Sequence, residues 1–133
     1  MQEIFNLEVD GIKFQCLPLP LTTRLRLDKQ LLTLLSPMAG KVMNVGSKLT
    51  AAVEAMPEVL QSLPDADFLN LIGLTLSTTT AITPAMGALN LDDEMNRDKV
   101  FADLLTLYKL LMEIWRKNKL TVFAIAANHS IGG

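Results

Sequence analysis

Residues 5–16 constrain this chain more than any other stretch. Phe5, Leu7 and Val9 alternate with Asn6 and Glu8, and after Asp10-Gly11 the residues Ile12, Phe14 and Cys16 alternate with Lys13 and Gln15. Period 2 on both sides of two turn-forming residues predicts a β-hairpin, because Asp-Gly accepts the positive φ that a type I′ turn needs at both central positions. Such a turn sets the register. Val9 faces Ile12, Leu7 faces Phe14 and Phe5 faces Cys16, all on one side, with Glu8–Lys13 and Asn6–Gln15 on the other. A lone hairpin is marginal in water, so its apolar face must cover helices or join a neighbouring subunit's sheet. Cys16 lies on that face and reads as a buried structural thiol, with no base or cation near it in sequence to activate it.

Beyond the hairpin the pattern turns helical. Leu17-Pro18-Leu19-Pro20 is an extended connector, since each residue before a proline is pushed out of the α region. Thr22 or Thr23 can cap a helix to about Leu35, ended by Ser36-Pro37, whose leucines at 25, 27, 31, 32, 34 and 35 cover about half its circumference. Arg24 and Asp28 are spaced to pair on it. Gly40 and Gly46 weaken any helix between Met38 and Gly46. Leu49, Val53, Met56, Leu60 and Leu63 form a helical stripe through Pro57, as one kinked helix or two short ones. Another helix is expected from about Asp65 to Ser77, followed by a threonine-rich loop. The last large helix starts at an Asn96 cap, places Val100, Phe101, Leu104, Tyr108, Leu111 and Trp115 on one face, and breaks at Asn118. An apolar segment, 120–127, and a frayed tail, 128–133, close the chain.

Composition enters where function classes must be separated. Half the residues are apolar, 20% are charged, and the formal net charge is −2. A sequence pI near 5.3 argues against a nucleic-acid partner, and Arg116, Lys117 and Lys119 suit the end of a helix dipole. The uncharged run 68–91 is long enough to span a bilayer, but its threonines, asparagines, Pro84 and acidic flanks speak against a membrane segment. Met1-Gln2-Glu3-Ile4 carries no recognisable signal peptide. One cysteine and one histidine supply neither a metal set nor a nucleophile–base pair. Asp92-Asp93-Glu94 lacks the spacing of a calcium loop, and the Gly-Lys pairs lack a Walker loop's first glycine. No catalytic, cofactor or metal residues are expected, and the chain reads as non-enzymatic. The apolar surplus (mean hydropathy +0.31) implies a leucine-rich core, a surface buried against another chain, or both.

The order of these elements resembles the tail assembly chaperones of long-tailed bacteriophages and prophages. Phe14 through Leu35 and Phe101 through Phe123, the latter closing on Asn118, Leu120 and Phe123, carry the resemblance best. Gly40 to Asn96 matches in length and helical character. The resemblance implies a small, mostly helical protein of the host cytoplasm that keeps the tape measure protein, or another long helical tail protein, soluble. It also implies that a longer, frameshifted form accompanies many members, and that no catalytic residues exist to carry over. The expected fold is mainly α (α+β), one domain over 1–133, with a two-stranded hairpin at about 4–16 and a bundle of about four to five helices over 22–127. Leu27, Leu31, Leu34, Leu35, Leu104, Tyr108, Leu111, Trp115 and Phe123 are the candidate partner-binding residues, and seven methionines suit adaptable packing. A homo-oligomer is expected, with no nucleic acid, membrane or cofactor. A structural tail or baseplate adaptor is the alternative, and a small membrane-associated protein a further one.

Overall fold

Asp10 and Gly11 have φ of 50° and 83°, the positive pair of a type I′ turn. They join β1 (Phe5–Val9) to β2 (Ile12–Cys16) in the predicted register, Val9↔Ile12, Leu7↔Phe14 and Phe5↔Cys16. This computed structural model describes residues 4–43 and 63–121, and side chains of the first helix as far as Thr33. Among the described residues, β2 is followed by α1 (Leu21–Met43), α2 (Asp65–Leu76), β3 (Thr79–Thr83), β4 (Gly87–Asn90), α3 (Glu94–Val100) and α4 (Leu104–Lys117).

The expectation of a hairpin under a helical bundle is overturned. The four strands form one antiparallel sheet in the order β1-β2-β3-β4, so the chain is α+β. The stretch expected to be a threonine-rich loop supplies β3, where β-branched side chains suit the pleat. Pro84 to Gly87 then turn the chain into β4, with Gly87 at φ 75° and the Thr83 hydroxyl accepting from Met86 N at 3.0 Å. The uncharged run 68–91 is thereby divided between a helix and two strands. No helix among the described residues is long and apolar enough to cross a membrane.

One row of residues crosses the whole sheet: Leu7, Phe14, Ala81 and Leu89. Phe14 and Ala81 are buried, as are Cys16 and Thr79 in the next row, so this face carries the core. Asn6, Glu8, Lys13 and Gln15 point the other way into solvent, giving the one-sided polarity usual for antiparallel sheets. Trp115, Leu110, Leu111 and Ile114 of α4, Leu71 and Leu76 of α2, and Leu27 and Leu31 of α1 complete the core. Phe14 stacks on Phe101 at 6.1 Å, and Phe68 on Tyr108 at 6.2 Å.

Several helix limits differ from expectation. α1 starts at Leu21, where Arg24 N donates to the Pro20 carbonyl at 2.9 Å, and it runs through Ser36-Pro37 to Met43. Pro37 withholds the N–H that an uninterrupted helix would aim at the Thr33 carbonyl and crowds that carbonyl, yet the helix continues past it. The predicted helix from Asn96 is two helices. Asp93 caps α3, accepting from Met95 N, and Asp103 caps α4, accepting from Leu105 N at 2.9 Å. Asn96 instead donates its side-chain N–H to the Asn90 carbonyl. Asn118 does end α4. The stripe from Leu49 to Leu60 with Pro57, and segments 122–127 and 128–133, lie outside the described residues.

Polar ties join the two ends of the described chain. Leu19 N donates to Asn118 Oδ1 at 2.9 Å, and Asn118 Nδ2 donates to the Ile114 carbonyl at 2.8 Å. Thr121 donates both N–H and O–H to Asp28, which takes that carboxylate away from the expected Arg24 pair. Thr106 Oγ1 at 2.7 Å and Lys109 Nζ at 3.0 Å both donate to Asp10, clamping the hairpin turn to α4. The buried indole of Trp115 donates to Thr75 Oγ1, which in turn donates to the Leu71 carbonyl.

Candidate partner-binding groove

Five of the nine candidate residues belong to the core. Leu27, Leu31, Leu111 and Trp115 are fully buried, and Tyr108 is nearly so beneath Phe68. Leu104 is 64% exposed at the start of α4, beside the half-exposed Leu105. Leu34 and Leu35 belong to α1, but their side chains, like Phe123, lie outside what is described. The wide leucine arc of α1 therefore has two environments. Leu27 and Leu31 face inward, whereas Leu21 and Leu25 stand more than half exposed.

Where α1 meets α2, the two helices leave an open groove of about 590 Å³. Leu63 and Leu74 give it partly exposed apolar walls, over a floor in which Leu31 and Leu71 are buried. Arg26 and Lys29 edge it on the α1 side, Asp67 and Asn70 on the α2 side. Helical spacing explains the α1 wall. Arg26, Lys29, Gln30 and Thr33 recur at three and four residues, so they share one stripe adjoining Leu31. That stripe reads in sequence as an ordinary solvated face, which is why the groove was missed there. The Gln30 Oε1 is buried and accepts no hydrogen bond among the described residues, leaving an acceptor to be satisfied at the groove. At 12 residues, α2 presents a wall of about 18 Å at 1.5 Å per residue. An apolar trough with charge of opposite sign on its two edges can take one amphipathic helix and fix its rotation.

Among the described residues two titrating groups are perturbed, and both lie away from the groove. Hydrogen bonds from Thr106 and Lys109, aided by the ammonium charge, hold the Asp10 carboxyl below its ordinary range. Burial pushes the Cys16 thiol up, against a weaker opposing bond from Thr79 at 3.5 Å. Both are structural settings, one a clamp and the other an inert core thiol. Among the described residues no three His, Cys, Asp or Glu side chains converge to hold a metal ion.

A family model described as phage tail assembly chaperone protein matches residues 10–125, nearly the whole described fold and the segment between α1 and α2. No curated protein and no solved structure gives a match.

Proposed function

Because the chain belongs to the phage tail assembly chaperone family, we propose that it binds the tape measure protein and keeps it soluble during tail assembly. In this reading it is a non-enzymatic factor acting in the host cytoplasm. The observation that carries the reading is the α1–α2 groove, with its leucine surface and oppositely charged edges. A tape measure protein is long and helical, with apolar stripes that remain exposed until the tail tube encloses them. One such stripe would lie along Leu63 and Leu74, with acidic partner residues toward Arg26 and Lys29 and basic ones toward Asp67. Helix-in-groove binding of this kind tolerates many related sequences, as a chaperone of a long repetitive helix requires.

Co-expression with the tape measure protein encoded by the same phage tests the reading. The chain should raise the partner's soluble fraction and co-purify with it. Leu74→Glu puts a charge on a partly exposed groove wall and should weaken binding about 10- to 100-fold, with far-UV circular dichroism unchanged. An equally insoluble partner with no co-purification would sink the proposal. Wild-type binding by a folded Leu74→Glu variant would remove the groove from it.

A further inference from the structure

The sheet has two edges, and the molecule treats them differently. β4 is four residues long, and its outward-facing Asn90 carbonyl already accepts from the Asn96 side chain at 2.9 Å. Arg97 Nε donates to the next carbonyl, Leu91, at 2.7 Å. β1 has β2 on one side and no strand on the other among the described residues. It contains no proline, lysine or bulge to keep the edge from pairing, and Glu8 is its single charge. In a two-residue hairpin the pairs Val9↔Ile12, Leu7↔Phe14 and Phe5↔Cys16 exchange hydrogen bonds, so the backbone groups of Asn6 and Glu8 point outward.

The surroundings of β1 define what strand would fit there. On the core face a groove of about 360 Å³ runs between β1 and α4, lined by Leu7, Val9 and Met112 together with the charged Asp10, Lys109 and Glu113. On the solvent face a second groove, about 350 Å³, is bordered by Asn6, Glu8, Lys13 and Gln15. An added strand needs apolar residues at alternate positions toward α4 and polar ones between them. β1 itself has that pattern: Phe5, Leu7 and Val9 against Asn6 and Glu8.

We infer that β1 pairs antiparallel with β1 of a second copy of this chain, about a two-fold axis at Leu7, joining two four-stranded sheets into one of eight. The outward amides choose the register. Asn6 exchanges hydrogen bonds with the partner's Glu8, and Glu8 with the partner's Asn6. The partner's Phe5 then lies opposite Val9 and fills the groove beside Met112. Centring on Glu8 would instead set two carboxylates face to face, which disfavours that alternative. The inference does not depend on the groove between α1 and α2, which lies on other elements.

Light scattering after size exclusion, over a concentration series of the full chain, measures the dimer, and hydrogen exchange locates it. The amides of Asn6 and Glu8 should become protected as the dimer forms. Asn6→Glu opposes the partner's Glu8 twice per dimer and should weaken it about 2- to 30-fold, while Asn6→Lys should strengthen it by a similar factor. Asn6→Pro removes an outward N–H that the native sheet does not use and should abolish pairing. Asn6 is exposed on the polar face, so the charge pair reports on the edge even where the proline variant fails to fold. A monomer at every concentration overturns the inference. So does a dimer that leaves the amides of Asn6 and Glu8 unprotected, or one that responds identically to Asn6→Glu and Asn6→Lys.

Discussion

Asp10 does two jobs that its neighbours make inseparable. Its backbone takes positive φ in the turn, which Asp and Asn tolerate better than other side-chain-bearing residues, and its carboxylate receives Thr106 and Lys109 from α4. Because those contacts hold the folded pKa below the unfolded one, their contribution is complete above the ordinary carboxylate pKa. It fades as pH falls through the depressed folded value. Asp10→Asn keeps the turn and removes the charge. The variant should be less stable than wild type at neutral pH, and the gap should close below about pH 4, as read by urea midpoints across a pH series. A gap that persists unchanged in acid would mean that the carboxylate adds nothing through its charge. Cys16 has the opposite sign: its raised pKa ties stability to the neutral thiol, present below the ordinary thiol range and lost as pH climbs through the folded value.

At the level of elements, legibility followed signal strength. The β1–β2 hairpin was readable down to its register because alternation and turn chemistry agreed. β3 hid because its amphipathicity runs backwards: Thr79 and Ala81 face the core, while Ile82 lies on the outer face opposite Lys13. Hydrophobic alternation therefore points away from the side that is buried, and four adjacent hydroxyl residues read as a loop. The division between α3 and α4 hid for another reason. The apolar stripe of Val100, Phe101, Leu104 and Leu105 keeps helical spacing across the break, so periodicity alone cannot show it. Asp103 could have shown it, as an N-cap residue directly before a leucine run. Asp103→Ala removes the acceptor for Leu105 N and should cost about 0.5–2 kcal/mol, measured by denaturant midpoint. A loss below that range would mean that packing against the sheet, not the cap, sets where α4 begins.

For the molecule as a whole, the leucine surplus divides between two uses, and α4 carries both within eight residues. Leu111 is fully enclosed by the core, whereas Leu104 is 64% exposed on the same face two turns earlier. From sequence they were equivalent members of one stripe, because helical spacing records which residues share a side but not how far the neighbouring layer extends over it. The neighbouring layers cover the C-terminal part of α4 and leave Leu104 and Leu105 at its start exposed. α1 repeats the arrangement, with Leu27 and Leu31 enclosed and Leu21 and Leu25 outside. This asymmetry has a measurable consequence. Leu111→Ala empties a closed site that the surrounding layers cannot collapse to fill and should cost about 2–5 kcal/mol. Leu104→Gln exchanges exposed apolar surface for polar surface and should change the isolated chain by no more than about 0.5 kcal/mol. Thermal or urea unfolding of the two variants side by side decides it. Comparable losses from both would mean that Leu104 is covered in solution, and that the surplus at the start of α4 belongs to an interface already formed.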